Sequence, residues 1–294
     1  GTADTEKNEK ERIKKQSPPE TQAESEQAAL NVQEVPVLKG EAEPAKPDSS
    51  GLLAKASPET SAMTLFIYDG TSVRLYYMFD SEKEREILDD LSSVKAEPAE
   101  DWSAKDASLP VYGIEIGRED GLSLFAAWTN GRWIAQDGSV YQFDYDFEAL
   151  KQRKEWESAG ELPSFTNFPC ARVFTQEKEQ WNTRFLVPAA PLNPPSGITM
   201  TLDSWDKDIA AVTINNESGG EWSCGEFYEL QVLIDGVWYE IPAMPGNWGF
   251  NCMGFYIPDG GKQSMINHLT MYGELPSGTY RLVIKELSAE HVIP

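Results

Sequence analysis

The chain is short of the residues that most hydrolytic and redox sites are built from. Only two histidines and three cysteines occur in 294 residues. No HExxH, GxSxG, GxGxxG or phosphate-cradling P-loop is present. His291 is among the last four residues and is expected to be mobile. His268 alternates with Met265, Asn267 and Leu269 and reads as a solvated strand residue rather than a base. Ser-His-Asp and Cys-His catalysis is therefore improbable. Four-cysteine zinc is impossible with three thiols. Ser92-Ser93-Val94-Lys95 has the SxxK spacing, but no Lys-Thr-Gly or Ser-Asp-Asn partner comes after it.

Positive charge is scarce as well. Lys and Arg total 25 against 48 Asp and Glu, a net charge of −23. The surplus is spread over the chain: 8 basic against 12 acidic residues in 1–60, 13 against 23 in 61–188, and 4 against 13 in 189–294. Nucleic acid is excluded as a partner, because no basic stripe exists to displace counterions from phosphates. Direct contact with an anionic membrane is disfavoured for the same reason. No apolar run reaches the roughly 18–20 residues needed to cross a bilayer, and no signal peptide opens the sequence. Gly1-Thr2-Ala3 without Met reads as a cut end, so an export signal or membrane anchor is expected upstream.

Aromatics are missing from the first 65 residues, although the chain carries 9 Trp, 11 Tyr and 12 Phe. Residues 1–61 combine mixed charge with Pro, Ala and Gln, as in Glu41-Ala42-Glu43-Pro44-Ala45-Lys46-Pro47. Such a stretch cannot bury enough surface to offset its ordering entropy, and it is expected to be a disordered tether.

Beyond residue 61 the chain is rich in turn chemistry. Asp69-Gly70, Asn130-Gly131 and Asp137-Gly138 each separate two apolar segments and predict tight antiparallel hairpins. Ser81-Glu82-Lys83-Glu84 fits a capping box opening a helix with Ile87, Leu88 and Leu91 on one side. Asp144 or Asp146 caps a second helix running to about Ser158. Residues 162–188 are irregular and are expected to pack across the sheet. Residues 62–188 thus read as an α+β domain, an antiparallel sheet with two helices.

Pro188 to Pro195 contains four prolines, and 189–195 reads as a stiff linker. After it, Ile198/Met200/Leu202, Ala210/Val212/Ile214 and Tyr228/Leu230/Val232/Ile234 alternate, with further short segments near 252–257, 262–269 and 279–286. About seven strands without a helical window predict an all-β sandwich over 196–294. Leu275-Pro276-Ser277-Gly278-Thr279-Tyr280 has the form of a tyrosine corner, in which the Tyr280 hydroxyl bonds back to the turn.

The runs Leu230–Glu240, Pro245-Gly246-Asn247-Trp248-Gly249-Phe250 and Tyr272–Arg281 resemble a bacterial immunoglobulin-like domain. Val111–Gly117, Ala126–Gly131 and Trp181-Asn182-Thr183 look like the uncharacterised α+β domain that often precedes it. The resemblance implies an exported lipoprotein, or the extracytoplasmic part of a membrane protein, in a Gram-positive bacterium. It carries over no catalytic residues.

Cys224 and Cys252 fall in one domain, and an exported setting permits a disulfide. The bridge would close a loop of about 27 residues and contribute ~3 kcal/mol. Two reduced, half-buried thiols remain the alternative. Cys170, between Pro169 and Ala171, reads as a small buried group. Carboxylates are too abundant for pairing to be informative. Asp203, Asp206 and Asp208 fit turn polarity and lack the spacing of a calcium loop. Exposed tryptophan is the remaining handle on function, because a flat ring stacks on sugars or peptide side chains. Trp248, Trp128 and Trp133 are the candidates, Trp248 first because of its Pro-Gly-Asn-Trp-Gly loop.

The expectation is a non-enzymatic, extracytoplasmic, membrane-tethered protein that binds or spaces at the cell surface and needs no cofactor. Its partner is unknown, with a cell-wall glycan or protein as the options. A carbohydrate- or peptide-binding module is the alternative, and an acid-residue hydrolase a third.

Overall fold

The computed structural model describes residues 52, 53, 56, 63–162, 164–246 and 248–294. Most of the expected tether lies outside the described residues. Three of its residues are described, and they are not solvated: Leu52 and Leu53 are buried against the first sheet, and Ala56 bridges to Arg118. Two adjacent leucines extend the apolar face of the core, which outweighs the polar composition around them.

Eight strands make one antiparallel sheet: β1 (Met63–Tyr68), β2 (Val73–Met78), β3 (Glu97–Pro98), β4 (Val111–Gly117), β5 (Ser123–Thr129), β6 (Arg132–Ala135), β7 (Val140–Gln142) and β8 (Glu157–Leu162). Their order is β3-β7-β6-β5-β4-β1-β2-β8. All three hairpin turns form where the Asx-Gly pairs stand, and Asp69 Oδ1 accepts from the amides of Thr71 and Ser72.

Both faces of this sheet are covered. Met63, Leu65, Ile67, Ile114 and Ile116 face helix α1 (Ser81–Ser92) and the short helix α2 (Phe147–Lys151). Phe66, Val73, Val111, Ala127 and Ile134 face the irregular segment that carries Phe165, Phe168, Phe174 and Phe185. Gly113 lies under that segment: a Cβ there would meet the Phe168 ring at 3.0 Å. The irregular residues therefore act as a second layer, which includes helix α3 (Ala171–Thr175).

Two helix boundaries differ from expectation. The α1 N-cap is Asp80, whose carboxylate accepts from Glu82 and Lys83 amides, one residue before the Ser81 proposed for that role. Asp146 caps α2, but α2 stops at Lys151. The next residues cross to the edge strand β8, which pairs with β2 through backbone bonds while its side chains, half-buried Leu162 apart, stay exposed.

The chain then forms a two-strand ribbon, β9 (Gln176–Glu177) and β10 (Gln180–Trp181), and β11 (Val187–Pro188). The remaining strands are β12 (Ile198–Trp205), β13 (Ile209–Asn216), β14 (Trp222–Gly225), β15 (Glu229–Ile234), β16 (Val237–Glu240), β17 (Gly254–Ile257), β18 (Lys262–His268), β19 (Gly278–Ile284) and β20 (Leu287–Ile293). One sheet runs β11-β16-β15-β19-β20 and another β12-β13-β18, with β14-β17 as a separate ribbon. Ala210, Val212, Ile214 and Met265 of one sheet share a core with Leu230, Val232, Tyr280, Leu282 and Ile284 of the other. This is the expected sandwich. His291 is not in a mobile end: it belongs to β20, pairs with Tyr280, and stacks on Trp205 at 4.9 Å.

The α+β half and the sandwich lie within one compact unit. β11, before the Pro-rich segment, already pairs with β16 of the sandwich. Ser164 and Thr166 hydroxyls donate to Glu240 Oε2 at 3.0 and 3.4 Å. Trp181 Nε1 donates to the Tyr280 hydroxyl at 3.1 Å. Arg172 of α3 is buried and reaches the carbonyls of Pro242 and Glu274 at 3.3 and 3.2 Å.

Candidate functional site

Two of the three tryptophan candidates are core residues. Trp128 and Trp133 face each other across β5 and β6. Trp128 stacks on Phe147 at 5.1 Å, and Trp133 is 1% exposed. Neither can serve as a binding platform. Burial follows from phase: Trp128 continues the inward row of Leu124 and Ala126.

Trp248 is at the surface, in the loop between β16 and β17, and its indole N–H donates to the Met244 carbonyl at 2.6 Å. Gly246 makes this possible. Its φ is 157°, and a Cβ there would sit 3.1 Å from the indole nitrogen. That loop and the β14–β17 ribbon bring further apolar groups to the surface. Met253 is 51% exposed, Tyr256 on β17 71%, and Phe227, just after β14, 55%. Half-buried Phe250 joins them to the core, edge-on to Phe227 at 5.1 Å and to Tyr228 at 5.0 Å.

Beside this face lies an open groove of about 440 Å³ between the β14–β17 ribbon and the β19–β20 turn. Ser223, Cys224, Phe227, Tyr256, Ile284 and Lys285 line it. Lys285 is already engaged, over the Trp222 ring at 5.0 Å and donating to the Ser223 carbonyl at 2.8 Å. Arg281 is held over Trp238 at 4.3 Å and bonds to Gln231. Among the described residues, no cation pairs with Glu221 or Glu226, which flank the groove's aromatic side in sequence. The groove lining thus combines the apolar Phe227, Tyr256 and Ile284 with one cation, Lys285.

The cysteines are free thiols, so the bridge considered between Cys224 and Cys252 is not formed. Cys224 points into the sandwich core from β14, whereas Cys252 is exposed in the loop before β17. Burial pushes the Cys170 thiol well above its ordinary range, which makes it a poor nucleophile. The Tyr280 hydroxyl donates to the Pro276 carbonyl at 2.5 Å, four residues upstream, which is the bond of a tyrosine corner.

Other groups singled out in the sequence have structural partners. Ser92 Oγ donates to the Leu88 carbonyl at 2.6 Å. Asp206 accepts from the amides of Asp208 and Ile209, and these bonds hold its carboxyl below the usual range. Asp203 accepts from Thr213 at 2.7 Å. No group of three or more His, Cys, Asp or Glu is placed to hold a metal among the described residues. His268 stands exposed at the end of β18, where its carbonyl accepts from the Tyr228 hydroxyl.

Sequence reasoning missed Phe227, Met253 and Tyr256. A signal existed for Tyr256: in Gly254–Ile257 the inward residue is Ile257, which puts its neighbour on the outer face.

Residues 196–292 match the family of the bacterial Ig-like domain. No curated protein and no solved structure matches the chain.

Proposed function

We propose that this protein is a non-enzymatic, extracytoplasmic, membrane-tethered protein whose immunoglobulin-like domain presents a binding surface. The observation that carries the reading is the group of exposed side chains Phe227, Met253 and Tyr256 at the β14–β17 ribbon, on the domain that matches the bacterial Ig-like family. Soluble surfaces rarely gather large apolar side chains in this way unless they are meant to be covered. Bacterial Ig-like domains are often extracellular, which supports the location. No helix of the described residues is long and apolar enough to cross a membrane. The tether is assigned to the Pro-rich, mixed-charge residues 1–51. A lipid anchor in a Gram-positive cell is the setting that fits the resemblance.

The test has two parts. Protease shaving of intact producing cells should remove the chain, and a panel of glycoside, ester and peptide substrates should show no turnover. Protection from protease until the cells are lysed contradicts the location, and turnover contradicts the non-enzymatic assignment.

A carbohydrate-binding role is the second reading. It is favoured by Tyr256 alone, whose ring is flat, 71% exposed and carries a hydroxyl.

A further inference from the structure

The lining of the groove restricts what fills it. We propose that the groove binds a saccharide bearing a carboxylate group, with the sugar ring on Tyr256 and the carboxylate at Lys285. This deepens the binding role proposed above, along its carbohydrate reading, and rests on it.

Charge gives the first argument. Residues 189–294 hold only 4 basic residues, and Lys285 is the one charged side chain in the groove lining. Its ammonium is held by the Ser223 carbonyl at 2.8 Å and the Trp222 ring at 5.0 Å. The carbonyl takes one of the ammonium's three N–H donors, which leaves donors for a ligand. A cation fixed beforehand loses little freedom when an anion arrives. The 13 acidic residues of the same segment repel a polyanion at long range. A ligand with a single carboxylate keeps the contact with Lys285 and escapes most of that repulsion.

The shape of the ribbon gives the second. Ser223 pairs with Tyr256 and Gly225 with Gly254. Strand alternation puts these four on one face, opposite Cys224 and Ile257 in the core. Two hydroxyls thus stand together, and the paired glycines leave bare backbone beside them. A Cβ added at Gly225 would meet nothing closer than 3.7 Å, and one at Gly254 nothing closer than 3.8 Å, where it reaches the Tyr256 ring. An exposed ring with hydroxyls and open backbone beside it suits the apolar face and polar edge of a sugar. A polypeptide anchor is seated instead in a closed, desolvated pocket, and this groove is open. Its volume of about 440 Å³ is that of a small-molecule site.

The test is a ligand-observed NMR titration of the full chain with three probes. They are N-acetylmuramic acid, N-acetylglucosamine as the same amino sugar without the carboxylate, and a short peptide of alternating Glu and Leu. N-acetylmuramic acid should saturate one site and bind about tenfold tighter than N-acetylglucosamine, as expected for a charge-assisted hydrogen bond. That preference should shrink as salt rises. Lys285→Gln should bind the two sugars equally. Tyr256→Ala should weaken both about fivefold, the effect of removing a stacking ring. Gly254→Val covers the bare backbone with a side chain suited to a strand, so it should melt as the parent does and yet bind neither sugar. Phe79→Ala, on an exposed aromatic of the other half, should bind as the parent does. Equal binding of the two sugars by the parent, an unaltered preference in Lys285→Gln, or full affinity in a folded Gly254→Val overturns the proposal. Tighter binding of the Glu–Leu peptide than of N-acetylmuramic acid overturns the saccharide assignment while leaving a binding role in place. Absence of any binding overturns the ligand assignment as well. The shaving and turnover tests then decide separately whether the broader reading stands.

Discussion

Replacing Arg172 with Met should unlock the contact between the two halves. The guanidinium is 3% exposed and has no carboxylate partner among the described residues. It donates to Gln176 Oε1 at 3.0 Å and to the Pro242 and Glu274 carbonyls, and it lies over the Trp181 ring at 4.6 Å. Burial pushes its pKa down to about 10, a cost of ~3 kcal/mol for holding the charge out of water. Against this stand three charge-assisted hydrogen bonds of about 1.5–3 kcal/mol each and a cation–π contact of ~1 kcal/mol.

The bonds outweigh the burial. Arg172→Met keeps the packing of the stem but leaves the buried Pro242 carbonyl unpaired, whereas the carbonyl of exposed Glu274 rehydrates. The net loss is ~2–3 kcal/mol. With a urea slope of about 2–3 kcal/mol/M the midpoint falls by roughly 1 M. Equilibrium unfolding followed by tryptophan emission measures this, with Trp181 reporting the contact directly. A variant as stable as the parent, or more so, refutes the reasoning: desolvation of the charge then exceeds what its bonds return.

Buried polar groups set two further expectations. Glu84 on α1 is 2% exposed with Oε2 unpartnered, and burial raises its pKa to about 7. The folded state therefore keeps this proton between the ordinary carboxylate pKa and pH 7 while the unfolded state releases it. Stability falls across that window as pH rises, by ~3 kcal/mol in total. Glu84→Gln should flatten this part of the stability–pH curve in urea titrations, and an unchanged slope contradicts the assignment. Tyr280→Phe leaves the Pro276 carbonyl and the Trp181 N–H without their shared hydroxyl. It should cost ~1–3 kcal/mol, seen as a lower melting temperature with unchanged far-UV circular dichroism. A shift below about 1 °C means the hydroxyl is not a structural tie.

Local chemistry explains which parts of this molecule were legible. Asp69-Gly70, Asn130-Gly131 and Asp137-Gly138 fix hairpins because their glycines adopt φ of 100°, 73° and 84°. The alternation of Ala210, Val212 and Ile214 locates the inner face of the sandwich. Strand β8 was hidden because Glu157–Leu162 alternates nothing apolar. An exposed edge strand is defined by its partner β2 and not by its own side chains. Leu52 and Leu53 were hidden by the polar residues around them.

The binding face was only partly readable. Trp248 could be placed from its Pro-Gly-Asn loop, but residue type alone ranked Trp128 and Trp133 beside it, and only strand phase separates a core indole from a surface one. Phe227 and Met253 lie in irregular segments with no period to read. Arg172 is isolated in sequence from Pro242 and Glu274, so its burial is a tertiary fact.

The claim that the Ig-like domain binds through its aromatic face is tested most directly by hydroxyl-radical footprinting of the full chain, purified and on intact producing cells. Met253 and Tyr256, 51% and 71% exposed, should label readily in the purified chain and be protected on the cells. Phe79, 68% exposed on the other half, should label equally in both states. Equal labelling of Met253 and Tyr256 in the purified chain and on the cells, or protection centred on Phe79, contradicts the claim.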